Sequence, residues 1–275
     1  MFWIIVIFLI ALSLTKKQIE YFYEPDFVSR EYMESIVNKS DYFDRMNKLD
    51  LKVRKVDSIE QYKSVYKNSI MSFTSEEKAE LAGLCEQIDK KRKTNNLYKI
   101  KWKFAKVHIN IEDGYPHTLK DVIILPSNFL NNNTTPENKM ITLIHEKLHV
   151  YQRVYPEETN ILYKSWGFHE VYLPPKIKEI RRNNPDVNKL YQKNNFALIQ
   201  IYNQNPVILS HSSPMFLNIN NNVLHHEKQY YLPDYVNQIE NPNEIMAVII
   251  PLIYFKHSKD DEYFMKTKIW CEKYL

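Results

Sequence analysis

No stretch constrains this chain more than His145-Glu146-Lys147-Leu148-His149, which reads H-E-x-x-H. On an α-helix, residues four apart lie one above the other on the same face, so His145 and His149 can hold one metal ion between them. Glu146 is one residue on, about 100° round the helix axis. That offset keeps it from joining the two imidazoles as a ligand and lets it reach a water beside the metal and take its proton. The pattern therefore sets two ligands and a general base on one turn, provided the stretch is helical.

The flanking residues favour a helix. Thr135 can act as N-cap, Pro136 suits the first helical position, and Glu137 complements the positive end of the macrodipole. Met140, Ile141, Leu143, Ile144, Leu148, Val150 and Tyr151 are apolar most of the way round, which predicts a buried helix, and Pro156 ends it. Polar side chains in such an element need partners. The competing reading is a chance motif on a core helix whose histidines are merely hydrogen-bonded.

The ten residues from Thr142 to Tyr151 (T-L-I-H-E-K-L-H-V-Y) resemble the extended signature of the zincin zinc metallopeptidases, and the resemblance runs from about Trp102 to Tyr254. Lys147 stands where that signature prefers an uncharged residue. The resemblance implies one Zn2+ ion, a peptide or protein substrate, and hydrolysis of a peptide bond with Glu146 as base. It also implies a small β-sheet beside the metal helix, whose edge strand takes an extended substrate by β-addition. Pro116-His117-Thr118 to Asp121-Val122-Ile123 is similar to the stretch preceding the helix in some zincins. His117 is thus a candidate to polarise a carbonyl, though a histidine at a turn reads as exposed to water.

A catalytic zinc usually takes three protein ligands and keeps one position open. The metzincin pattern needs a histidine where Tyr155 stands, and Gln152 replaces its glycine. His169 and Glu170 lie about where some zincins place a glutamate, but Gly167, Pro174 and Pro175 argue against a long ligand helix there, leaving a loop ligand. Asp186 sits in an Asn- and Pro-rich loop with little to recommend it. Glu244 is the first candidate. It lies in Asn241-Pro242-Asn243-Glu244-Ile245-Met246-Ala247, at the start of an apolar helix running to about Tyr254 with a bend expected at Pro251. This resembles the gluzincin arrangement, in which a glutamate on a second helix completes the site. Asn241, Pro242 and Glu244 also make a plain capping arrangement, so Glu244 reads either as ligand or as cap, with His169 next in line.

With 275 residues and a formal net charge of +4, the chain can bury a sizeable core, and its cations are dispersed among acids. No basic stripe with interleaved aromatics appears, so nucleic-acid binding is not indicated. Cys85 and Cys271 lack metal spacing and allow one disulfide without requiring it. Residues 1–14 form an apolar run followed by Lys16 and Lys17. The run is short against the about 20 residues of a spanning helix. It reads as a single-pass N-terminal membrane anchor with the domain on the cytoplasmic side, the alternatives being a cleaved secretory signal or a buried helix.

Residues 16–96 read as a helical N-terminal region. Phe27, Tyr32, Met33, Ile36 and Val37 have helical spacing, and a helix start is expected at Ser40-Asp41. Thr74-Ser75-Glu76-Glu77 is a capping box before the apolar stripe Leu81, Leu84, Cys85 and Ile88. Asp89 to Lys93 reads as a solvated, charged end. From residue 97 the pattern changes: Trp102 to Ile111 alternates like a β-strand, and Asp121 to Pro126 is a second strand. Pro156 to Ser165 predicts a short helix ended by Gly167. Phe196 to Tyr202 and Val207 to Leu209 predict a hairpin. A final helix is expected from about Lys259 to Tyr274, capped by Ser258, with Tyr263, Phe264, Ile269 and Trp270 inward. His211, His225 and His226 lie in the polar segment that follows the hairpin, and the resemblance to zincins offers His225, His226, Tyr230, Tyr231 or Tyr254 to stabilise an oxyanion, each of which also reads as a structural residue. The expected architecture is α+β, with a zincin-like catalytic domain over 97–275 behind the helical region and the 1–15 hydrophobic segment. Other classes fit less of the sequence: a zinc-binding scaffold without catalysis, of which Lys147 would be the mark, and a membrane-tethered interaction protein.

Overall fold

The computed structural model describes residues 24–91, 96–131, 133–172, 178–179, 181–193, 196–199, 207–210 and 241–275. The expected anchor over 1–14, and His211, His225, His226, Tyr230 and Tyr231, lie outside the described residues. Among the described residues no helix is long and apolar enough to cross a membrane.

The chain is α+β. Strand β1 (Asp26–Phe27) precedes helices α1 (Arg30–Lys39), α2 (Asp41–Asp44), α3 (Lys48–Val53) and α4 (Ile59–Asn68), followed by β2 (Ile70–Met71). Then come α5 (Ser75–Lys91), α6 (Asn96–Lys99), β3 (Lys103–Val107), β4 (His117–Leu119) and β5 (Val122–Pro126). Helices α7 (Pro136–Val154) and α8 (Pro156–Ser165) lead to β6 (His169–Val171), β7 (Leu190–Lys193), β8 (Phe196–Ile199) and β9 (Val207–Ser210). Helices α9 (Pro242–Tyr254) and α10 (Glu262–Tyr274) follow.

The first sheet is mixed. β3 lies parallel to β5, and β4 pairs antiparallel with β5 as the edge among the described residues. On its other side β3 takes β1 in parallel at Lys103 and Phe104, and β2 antiparallel at Lys106 and Val107. The N-terminal segment therefore contributes two short strands to this sheet, both of them within the stretch 16–96 expected to be helical. β6 to β9 form a separate antiparallel meander, which includes the expected hairpin as β8 and β9.

Both faces of the mixed sheet are covered. Phe104, Ile123 and Leu125 join one core with α5, α7, α9 and α10, while Ala105, Val107, Val122 and Ile124 join another with α1, α2 and α4. A strand buried on both sides shows no clean polar face, and β3 stops at Val107 instead of running to Ile111, with Ile109 partly exposed. Other expectations change in the same way. Asp89 is not solvated but buried, accepting the Trp102 indole N–H at 3.0 Å. Tyr32 is exposed, because Ser29 caps α1 and turns that side outward. The last helix starts at Glu262 on an Asp261 cap that accepts from the Phe264 N–H, and Ile269 faces solvent at 64% exposure. The Thr74 and Glu77 capping box forms as expected, with both reciprocal bonds made. Cys85 and Cys271 are both buried.

Candidate metal centre

Helix α7 forms as its sequence dictates. The Thr135 hydroxyl accepts from the Asn138 N–H, Pro136 occupies the first turn, and the helix stops before Pro156. Met140, Leu143, Ile144, Leu148, Val150 and Tyr151 are buried around most of its circumference, and its main partner is α9. This packing brings the first turn of α9 against the middle of α7.

His145 and His149 meet edge to face one turn apart, with rings 4.7 Å between centroids and Nε2 atoms 3.0 Å apart. Glu244 reaches them from α9. Its Oε2 lies 3.4 Å from His145 Nε2 and 3.5 Å from His149 Nε2. The cap of α9 is Asn241, whose side chain accepts from the Asn243 N–H, so the Glu244 carboxylate is turned towards the histidines instead of back to the helix end. The Asn184 amide donates to Glu244 Oε1 at 3.3 Å, which presents Oε2 to the imidazoles.

Around this triad the chain fixes the donor atoms. His149 Nδ1 is 3.0 Å from Gln152 Oε1, while the Gln152 amide nitrogen donates to the Asn243 carbonyl at 2.9 Å. An amide oxygen only accepts, so Nδ1 carries a proton and Nε2 is the ring atom turned towards Glu244 and His145. Burial by itself would lower the His149 value, but the Glu244 carboxylate overrides it and pushes it up to about 10. Burial would raise Glu244, and the two imidazoles hold it well below the usual carboxylate range. Three donor atoms thus converge on one point and could hold a metal ion between them. Tetrahedral bonds of about 2.0–2.1 Å set donor atoms roughly 3.3 Å apart, close to the spacings observed here. Glu244 Oε2 is also buried with no hydrogen-bond partner among the described residues. The donor set, two imidazoles and a carboxylate, suits zinc.

Glu146 is buried beside this triad, and its Oε2 likewise has no hydrogen-bond partner. Burial first, and then the nearby Asp186 carboxylate, push its acid well above the usual range. Lys147 points elsewhere. Its side chain is 1% exposed, with Nζ 3.5 Å from Asp89 Oδ1 and 3.9 Å above the Trp102 ring. Burial pushes it down to about 8 against the pull of Asp89, and burial raises Asp89 in turn. Lys147 is a core residue of the opposite helix face.

The structure leaves other candidates outside the centre. His169 is exposed on β6, registered with Gln192. His117 is not at a wet turn but 2% exposed on β4, with Nε2 2.7 Å from the Tyr66 hydroxyl. Tyr254 donates its hydroxyl to the Ile88 carbonyl in the core. Two residues at the centre escape a sequence reading. Gln152 follows His149 at helical i, i+3 spacing, which is a usable signal. Asp186, dismissed for its loop, groups with Glu146 and His149 within 4.8 Å between candidate ligand atoms; nothing in the local sequence marks it.

No protein-family model matches the chain, and no curated protein or solved structure matches it.

Proposed function

We propose that the chain is a zinc-dependent metallopeptidase of the zincin type, gluzincin-like in its third ligand. The observation that carries this reading is the convergence of His145 Nε2, His149 Nε2 and Glu244 Oε2 within 3.5 Å of one another beside the unpartnered carboxylate of Glu146. His145, His149 and Glu244 would hold the ion. When bound, zinc supplies a Lewis acid that acidifies water and polarises a substrate carbonyl. Glu146 Oε2, free of hydrogen bonds, takes the proton from the attacking water and delivers it to the leaving amine. Gln152 keeps His149 in the tautomer that leaves Nε2 bare. The reading of a scaffold without catalysis rests on Lys147, and the Lys147 side chain lies in the core away from the triad.

The test is hydrolysis of a generic peptide mixture by the purified full chain, with zinc measured on the same sample. Activity should disappear when a chelator strips the metal and return when zinc is restored. Hydrolysis that persists in metal-free protein contradicts the reading.

A further inference from the structure

Beside the metal centre the sheet ends at β4, whose outer side carries no further strand among the described residues. The outward Thr118 N–H nevertheless has a partner: it donates to Asp186 Oδ1 at 3.0 Å. The Thr118 hydroxyl donates to the same oxygen, and Arg153 Nη2 lies 3.2 Å from it. Arg153 is fixed in turn, since Nη1 donates to Thr118 Oγ1 at 2.6 Å and to the Lys120 carbonyl at 2.9 Å. A backbone N–H, a hydroxyl and a guanidinium converging on one carboxylate oxygen make a carboxylate cradle. Its occupant is on a loop, next to Glu146 and His149.

Behind the cradle is a cavity of about 340 Å³, the size of a small ligand pocket. Arg45, Lys120, Arg153 and Lys189 line it against Asp41 and Asp186. Lys189 is paired with Glu170, and Arg45 lies 3.6 Å from Asp41. Arg45 Nε is buried without a hydrogen-bond partner. Gln152, which holds His149, forms part of the same wall. The cavity is thus rich in cations and one side chain away from the metal ligands.

We propose that Thr118 and Arg153 form a carboxylate-binding subsite, held by Asp186 in the free protein and yielded to an acidic group of the substrate. This rests on the peptidase reading and gives it a substrate class: peptides that carry either an acidic side chain or a free C-terminal carboxylate near the bond to be cut. Both present the group that Asp186 presents now. The cations of the cavity then set the charge preference, and the free side of β4 takes the backbone.

The test measures binding, so that it does not depend on turnover. Zinc-loaded full chain carrying Glu146→Gln is titrated calorimetrically with three acetylated hexapeptides of otherwise equal sequence. One has a central Glu and an amidated end, one a central Gln and an amidated end, and one a central Gln and a free C-terminus. At least one carboxylate-bearing peptide should bind about tenfold tighter than the neutral one, and which one does so identifies the source of the carboxylate. The preference should vanish in Arg153→Gln and partly survive in Arg153→Lys. Adding Asp186→Asn should tighten the preferred peptide and leave the neutral one unchanged, which decides the matter even if Arg153→Gln fails to fold. Equal affinity for all three peptides in both backgrounds, or binding of none, overturns the proposal. A chain that holds no zinc yet still discriminates the peptides overturns the peptidase reading and supports the subsite.

Discussion

Two buried polar clusters in this molecule are built on opposite terms. In the N-terminal half, Glu112 has a left-handed backbone conformation (φ 47°) and a side chain only 7% exposed, and the carboxylate's needs are met from within. Arg54 Nη2 and the hydroxyls of Tyr42 and Tyr62 each lie 2.6 Å from its carboxylate. Burial would raise its acid, and Arg54 above all keeps it below the usual range. At the α7–α9 contact, two further glutamates are buried, and each keeps an oxygen with no hydrogen-bond partner among the described residues. An unmet buried carboxylate oxygen costs far more than a met one. The closed cluster is therefore structure, and the open one has room for something the chain does not supply.

The sharpest way to break this contrast is Glu146→Gln. An amide cannot accept the water proton, so peptide turnover should fall by about 10²–10⁴-fold while zinc content stays at the wild-type level. Wild-type turnover in that variant would remove Glu146 from the chemistry. The converse change is Arg54→Met in the closed cluster. It strips Glu112 of its cation and should cost about 3–5 kcal/mol in denaturant unfolding, with zinc affinity unaltered. A loss of zinc there would mean that the two clusters are coupled.

A smaller effect is expected from Lys147, which shares its helix with His145 and His149 but belongs with Asp89 and Trp102. Its folded value of about 8 lies below the ordinary 10.5. Between these values the unfolded chain holds more protons, so this lysine makes stability rise with pH across that window, by roughly 3 kcal/mol at most. Tyrosines ionise in the same range, so the quantity to measure is the difference between wild type and Lys147→Met. The rise attributable to Lys147 should be missing from the variant, which should still bind zinc and hydrolyse peptide. Loss of zinc on this change would place Lys147 at the centre after all.

What the sequence made legible follows from how local each feature is. The α7 caps, the i, i+4 pair and the start of α9 at Pro242 are set within a turn or two of chain, and all are found. Whether Glu244 caps its own helix or faces the histidines depends on how α9 packs on α7, which no local pattern encodes. Asp89 reads as solvated because its neighbours in sequence are charged, and His117 because it follows a turn. Their partners, Trp102 with Lys147 and Tyr66, come from distant segments. β3 looks half-buried in sequence and is covered on both faces, because the alternation of side chains cannot say what packs on the second face. Asp186 illustrates the same point from the other side. Its loop is unremarkable as sequence, and only Thr118 and Arg153 across the fold give it a place.

Zinc stoichiometry and affinity of the full chain and of Glu244→Ala, measured beside thermal unfolding, test the central claim most directly. The wild type should hold one zinc per chain. In the variant two imidazoles remain, and zinc affinity should fall by roughly 100-fold or more, beyond the about 10–100-fold typical of an outer-shell change. Glu244→Asp, one methylene shorter, should fall between the two. Full occupancy with unchanged affinity in Glu244→Ala, and only the stability loss of about 0.5–2 kcal/mol that a missing cap brings, would contradict the account.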